Sequence, residues 1–154
     1  FDAFAIPVVM ERTGKSLLEV IDDLASRSGL LGISGISGDV RDLEKAADNG
    51  NSRARLALDV FVADIRRNLG ALMVELGGVE AIVFTGGIGQ NGQNIRKDVC
   101  HGLSEFGIEL SEDKNRSTGE EFSVHSASSK TEIWVVPTNE ELVVARQTRE
   151  LLEG

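Results

Sequence analysis

The chain has 154 residues, 41% of them hydrophobic, with 17 Gly and only 2 Pro, which is enough for one compact domain with a real core. Its net charge of −9, from 25 acidic and 16 basic residues, argues against nonspecific binding to nucleic acid or an anionic membrane, since both reward clustered Lys and Arg. The single cysteine, Cys100, excludes an internal disulfide and a multi-thiolate metal centre, and no apolar run reaches the about 18 residues that would mark a membrane-spanning helix.

The chain opens on Phe1 rather than Met, and Phe1 to Val9 is an apolar stretch with no basic region ahead of it. This reads as a piece of a longer polypeptide without a signal peptide, and as a cytoplasmic protein. There is no internal repeat. Leu17, Leu18, Val20, Ile21 and Leu24 predict a helix over Ser16 to Ser28, with Gly29 as its stop. A Gly/Ser-rich turn from Gly32 to Gly38 then delivers Asp39-Val40-Arg41-Asp42 to the start of a shorter helix, and Asp48 to Asn51 is a polar break. The strongest helix runs from Ser52 to Leu76, with Leu58, Phe61, Ile65, Leu69, Leu72 and Leu76 forming one apolar stripe and Gly77-Gly78 ending it. Ala81-Ile82-Val83-Phe84 is a short continuous apolar run, the pattern of a buried central strand in an α/β sheet. Ile95 to Phe106 reads as helix, Phe122 to His125 and Glu132 to Val136 as strands, and a last helix begins near Thr138. Helices feeding short buried strands indicate an α/β layered fold.

Thr85-Gly86-Gly87-Ile88-Gly89-Gln90-Asn91 lies where the apolar strand hands over to a helix. Glycines there let the backbone come close to a phosphate, and helix N–H groups turn toward it, so an acidic chain can still hold an anion. A turn chosen for sharp geometry alone explains the same glycines. A third reading is literal: Gly87 to Gly92 spells G-x-G-x-x-G, and Glu109 lies about twenty residues on, where a dinucleotide fold has its ribose-binding acid. Against that stand the mid-chain position behind a long helix and the brevity of the next apolar stretch, Ile108 to Leu110.

Three separated segments, taken together, resemble the acetate kinase family. They are Ser28-Gly29-Leu30-Leu31-Gly32-Ile33-Ser34-Gly35 followed by Ser37 to Asp42; Val83 to Asn91 followed by Ile95-Arg96; and Val135-Val136-Pro137-Thr138-Asn139-Glu140-Glu141-Leu142 with Ala145-Arg146. The resemblance covers nearly the whole chain. It implies a ribonuclease H-like α/β domain of the actin-like ATPase superfamily, here with a partial sheet and flanking helices. The implied reaction is reversible phosphoryl transfer from ATP to acetate, giving acetyl phosphate and ADP. Residues 1–154 would be the carboxyl-terminal nucleotide-binding part. Carried over by position, Asp39, Val40 and Arg41 would line the adenosine side. Gly87, Ile88, Gly89, Gln90 and Asn91 would meet the nucleotide near its phosphates and ribose, and Glu140 would serve Mg²⁺. The partners implied are ATP or ADP, a small carboxylate and a second copy in a homodimer. The alternatives are a propionate or butyrate kinase of the same family, or a noncatalytic dimerising fragment.

Local structure competes with some of these roles. Thr138 to Glu141 fits a capping box, which explains Glu141 but does not need Glu140. A hard cation bound with ATP needs only one or two protein carboxylates, so a single Glu suffices. Asp39 and Arg41 would otherwise be ordinary surface charges, although an arginine also stacks on an adenine. His101 and His125 have no partner spacing for a metal or a triad. Gln90 stands where the family usually has Glu, and Phe1-Asp2-Ala3 departs from the family's usual opening. The arginine and histidine groups that stabilise the phosphoryl group in flight, and the acyl pocket, belong to the family's upstream portion. The isolated chain is therefore expected to bind nucleotide weakly without turnover, on an incomplete sheet.

Overall fold

The structure, a computed structural model, describes residues 2–153 other than 139, and of Glu140, Glu141 and Val143 the backbone alone. Instead of one domain, the chain forms two compact units, Phe1–Asp64 and Ile65–Gly154, with the division falling inside the longest helix.

The first unit is helical. Helix α1 (Ala5–Thr13) ends at Gly14, whose left-handed backbone (φ 70°) lets its N–H reach the Met10 carbonyl. Helix α2 (Leu17–Ser26) starts on a capping box: the Glu19 N–H donates to Ser16 Oγ while the Ser16 N–H donates to the Glu19 carboxylate at 2.8 Å. The predicted stop at Gly29 lies elsewhere. Helix α2 ends at Ser26, and Gly29 opens a further helix, α3 (Gly29–Ser34), which includes the first part of the predicted Gly/Ser-rich turn. Leu30, Leu31 and Ile33 sustain that helix until Gly35 (φ 73°) ends it. Helix α4 (Val40–Asp48) and helix α5 (Ser52–Leu76) follow as the sequence predicts. Asn51 caps α5, its side-chain oxygen accepting from the Arg53 and Ala54 N–H groups at 3.0 Å. The buried apolar side chains here are Val20, Val40, Leu43, Ala54, Ala57, Leu58 and Val62.

The predicted stripe of α5 is covered only in part. Ile65, Leu69 and Met73 are half-buried, while Leu72 and Leu76 are exposed. An ideal helix drifts relative to a fixed three-and-four step pattern, and near its end the inward position falls on Met73.

The second unit carries a three-stranded sheet in the order β1-β3-β2. Strand β1 (Ala81–Phe84) runs parallel to β3 (Glu132–Val135), and β2 (Phe122–Ser123) runs antiparallel to it. The apolar run at Ala81 therefore forms an edge strand rather than a buried central one, and Val83 is 54% exposed. Apolar strand formers specify a strand but not how many neighbours it has. Ile133 and Val135 point inward from β3 onto Cys100, Ile108 and Val124, with Met73, Ile82, Phe84, Leu103 and Phe122 packed around them. The predicted helix over Ile95 to Phe106 is split. After a short helix α6 (Gly86–Asn91), helix α7 (Gln93–Cys100) gives way at Gly102 (φ 70°) to a single 3-10 turn at Ser104–Phe106, which Gly107 ends. Helix α8 (Glu112–Asn115) lies before β2, and helix α9 (Glu140–Glu153) closes the chain. Cys100 is 5% exposed, and burial pushes its thiol up to about 11, so it behaves as a small core residue. Among the described residues no helix is long and apolar enough to cross a membrane.

Candidate functional site

The candidate residues fall in both units, and each group is described within its own. In the first, the turn before α4 is organised by Ser34, a buried hydroxyl 3% exposed. Its oxygen accepts from the Ile36 and Ser37 N–H groups at 3.2 and 3.3 Å and donates to the Ser37 carbonyl at 3.0 Å. The Ser37 hydroxyl in turn accepts from the Asp39 N–H and donates to Asp42, both at 3.0 Å. Asp39 is thereby set as the N-cap of α4, accepting from the Arg41 N–H at 2.8 Å. Its carboxylate also takes the Arg41 guanidinium two-pronged, Nε at 3.1 Å and Nη2 at 2.6 Å.

The pair lies at the surface, with the Arg41 side chain 79% exposed, so the guanidinium keeps a planar face open on which an aromatic base can stack. Val40 between them is different: its side chain is 5% exposed, which leaves only its main chain for a ligand. The Arg41 side-chain hydrogen bonds, and then its backbone N–H, hold the Asp39 carboxyl down to about 2. A depressed folded value means that this contact contributes fully above the ordinary carboxylate range and is lost as pH falls through about 2. We expect a side-chain carbon titration by NMR to place Asp39 near that value, and Arg41→Ala to raise it part of the way toward the ordinary carboxylate range, the backbone N–H at position 41 being retained. An unshifted Asp39 in the unsubstituted chain would contradict the ion pair.

In the second unit, the predicted loop is largely a helix. Gly86–Asn91 form helix α6, one and a half turns that start directly off β1 with Gly86 at φ 69°. Thr85 occupies the N-cap position without a side-chain cap bond, and the first N–H groups of any helix lack intrahelical acceptors. Gly87, Ile88 and Asn91 are exposed, Gly89 and Gln90 half-buried. The Asn91 side chain is turned inward on its own helix, donating to the Gly87 carbonyl at 2.9 Å.

Two glycines are fixed by space rather than by backbone angle. A Cβ on Gly89 would stand 3.0 Å from the Phe84 carbonyl carbon, and one on Gly92 would stand 2.6 Å from the Ile88 oxygen. Helix α6 thus lies tight against the end of β1, and the chain then passes tightly into α7.

The main residue that sequence reasoning missed is Arg96, fully buried at 0% exposure. Its Nη1 donates to the carbonyls of Gly89 and Gln90 at 2.7 and 2.8 Å. Its Nε donates to Asn115 Oδ1 at 2.7 Å and its Nη2 to the Asn115 carbonyl at 2.9 Å. Asn115 passes the connection on, its amide donating to the Gln93 carbonyl at 2.9 Å. Burial draws the Arg96 pKa down, but the acceptors around it keep the cation satisfied. A signal was present in the sequence: Arg96 stands four residues before Cys100 and one after Ile95, on the helix face that carries the core.

Glu140 is the first residue of α9, but its side chain lies outside the described residues, as do Asn139 and the Glu141 side chain on which the predicted capping box depends. The dinucleotide alternative loses its acid. Glu109 accepts from the Ser126 and Ser128 hydroxyls, and the parallel neighbour of β1 is β3, far beyond Glu109 in the chain. His125 is structural, its Nδ1 accepting from the Ile133 N–H at 3.2 Å and its ring edge-on to Trp134.

Residues 1–146 match the model of the Acetokinase family. An acetate kinase of Methanosarcina barkeri is 44% identical over 152 residues, covering 99% of this chain and 37% of that protein. Among solved structures, Porphyromonas gingivalis acetate kinase superposes with a TM-score of 0.87 at 35% identity, over 99% of this chain and 38% of its own. A propionate kinase from Francisella tularensis superposes with a TM-score of 0.83 at 34% identity, over 94% of this chain and 37% of its own. The chain therefore spans well under half the length of the relatives it matches, and it has their α/β, actin-like ATPase fold.

Proposed function

Because the chain belongs to the acetokinase family, we propose that it is the carboxyl-terminal, nucleotide-binding part of an acetate kinase, acting on ATP and acetate to give ADP and acetyl phosphate. The observation that carries the nucleotide role is the anchored turn at α6. It presents glycine-rich backbone exposed at Gly87 and Ile88, and its Gly89 and Gln90 carbonyls are held by a buried cation. In this reading the main chain of Gly87, Ile88, Gly89, Gln90 and Asn91 meets the phosphates and ribose. The Arg41 face, steadied by Asp39, meets the adenosine together with the main chain of Val40 between them. Gln90 contributes no negative charge beside the phosphates, which suits anion binding.

Glu140 is the residue proposed to serve Mg²⁺. That donor chemistry suits a hydrated Mg²⁺ that arrives on the nucleotide and takes one carboxylate from the protein. When bound, the ion offsets charge on the phosphates. The protein's own part is to hold and orient the nucleotide. The groups that stabilise the phosphoryl group in flight, and those that select the acyl chain, are proposed to come from another part of the longer enzyme, which works as a cytoplasmic homodimer.

Propionate kinase activity is the second reading of the acyl chemistry, favoured by the likeness to the Francisella tularensis enzyme. The noncatalytic reading, in which the fragment dimerises, is supported by the unpaired edge of β1 and its exposed Val83. Nucleotide titration of the 154-residue chain separates the two roles. We expect saturable, weak ADP and ATP binding by calorimetry, with no acetyl phosphate formed. Absence of any heat and of any change in Trp134 fluorescence would favour the dimerising fragment, and measurable acetyl phosphate would overturn the division of labour proposed here.

A further inference from the structure

A fully buried arginine is unusual, because taking the guanidinium out of water is costly unless its donors find acceptors. Arg96 meets that demand without a carboxylate: among the described residues its partners are three main-chain carbonyls and one side-chain amide oxygen. Two of those carbonyls belong to Gly89 and Gln90, at the carbonyl end of α6, where a positive charge is favourable. The other two acceptors lie on Asn115, at the end of α8. The side chain therefore connects α6 to a second element instead of only closing its own helix.

The peptide plane turns this anchoring into orientation. A trans peptide points its carbonyl and its N–H in opposite directions. In α6 every peptide is aligned this way, so holding the Gly89 and Gln90 carbonyls against a buried guanidinium fixes the direction of the whole short helix and of the exposed Gly87 and Ile88 backbone it carries, while the Gln90 and Asn91 N–H groups are spent inside the helix. The close contacts of Gly89 on Phe84 and of Gly92 on Ile88 remove the remaining freedom of the turn. A side chain that only filled space would need neither the charge nor this choice of acceptors.

We infer that Arg96 is a positioning residue for phosphate: it sets the aim of the α6 backbone and so makes the chain favour phosphorylated nucleotides over the bare nucleoside. The inference rests on the nucleotide reading above, with phosphate as the group met by α6. Arg96 touches no ligand in this role; it acts through the peptides of Gly89 and Gln90. Asn115 is the second part of the same device, since it holds the far side of the guanidinium and, through Gln93, the start of α7.

The test compares ADP with adenosine on the 154-residue chain by calorimetry. The variants are Arg96→Lys, Asn115→Ala and, as a control, Arg66→Ala. Arg66 closes the end of α7 by donating to the carbonyls of Asp98, Val99 and His101, so its loss destabilises the same unit away from α6. Arg96→Lys keeps a cation but not the fork, and ADP affinity is expected to fall about tenfold while adenosine affinity stays within about twofold. Asn115→Ala should move the ratio in the same direction by a smaller factor, and Arg66→Ala should lower thermal stability with the ratio unchanged.

An ADP-to-adenosine ratio unchanged in Arg96→Lys, with the parent chain preferring ADP, overturns this inference alone. If Arg96→Lys does not fold, the folded Asn115→Ala chain decides on the same criterion. A ratio that shifts equally in Arg66→Ala would show the effect to be general loosening and would also overturn it. A parent chain with no preference for ADP over adenosine overturns the phosphate reading of α6, and the inference with it.

Discussion

Arg96→Ala is expected to destabilise the second unit by roughly 3–5 kcal/mol, among the largest effects of any single substitution in the chain. The substitution removes the donors from four acceptors at once: the carbonyls of Gly89, Gln90 and Asn115, and the Asn115 side-chain oxygen. An unsatisfied buried polar group costs about 1–3 kcal/mol, and water entering the vacated space recovers part of the sum. The loss is not a matter of surface charge, because Arg96 is fully buried and these partners are carbonyl and amide oxygens. Urea unfolding followed through Trp134, which lies in β3 of the same unit, measures it directly. A cost below about 1 kcal/mol would mean that the four acceptors find other donors and that Arg96 is not what holds α6. Arg41→Ala serves as the contrast: that guanidinium is 79% exposed, and its loss should leave the transition almost unmoved.

The same contrast marks what the sequence could disclose. Helix α5 was readable from Ser52 to Leu76 because its apolar spacing is long and its ends carry strong signals, Asn51 before it and Gly77-Gly78 after it. The turn at Asp39 was readable as a helix start, and Asp39 does cap α4. Short elements were harder. Six residues from Gly29 to Ser34 make a helix although Gly and Ser dominate the neighbourhood, and six from Gly86 to Asn91 make another where glycines suggested a loop. In both, local propensity is weak: a buried hydroxyl on the last residue of the first, Ser34, ties it to the turn that follows, and the Arg96 clamp acts on the second from outside the segment.

Strand position was the least accessible feature. Ala81 to Phe84 has the composition of an interior strand, but the structure pairs it on one side only. The expectation of an incomplete sheet came from resemblance and not from any residue in the strand itself. For the site, motif resemblance picked out Gly87 to Asn91 and the Asp39–Arg41 pair. It could not show that Val40 is spent on the core, nor that the turn is held by a cation buried behind it. Those facts depend on which face of a helix meets the sheet, and a motif does not carry that information.

The second large effect belongs to the middle of the sheet. Ile133→Ala is expected to cost roughly 3–4 kcal/mol, and Ile133→Val about 1 kcal/mol. Ile133 is 0% exposed in the strand that has neighbours on both sides, opposite Ile82 of β1. Its carbonyl accepts from the Val124 N–H at 2.7 Å, and its own N–H donates to His125. With the backbone tied in both directions, the walls around a missing side chain have little freedom to close in, so most of the cavity should persist. Val83→Ala on β1 is the opposite case: 54% exposed on the edge strand, it should change stability by no more than about 0.5 kcal/mol. The consequence for the site follows from connectivity. Among the described residues strand β1 has β3 as its one sheet neighbour, down to the Val136 N–H donating to the Phe84 carbonyl at 3.0 Å, and Gly89 of α6 sits directly against Phe84. A cavity at Ile133 should therefore loosen α6 as well as the core, seen as faster amide hydrogen exchange in Gly86 to Asn91 alongside the lower unfolding midpoint. A lower midpoint with exchange in α6 unchanged relative to the rest of the unit would show that α6 is supported by Arg96 and Asn115 alone, independently of the strand it follows.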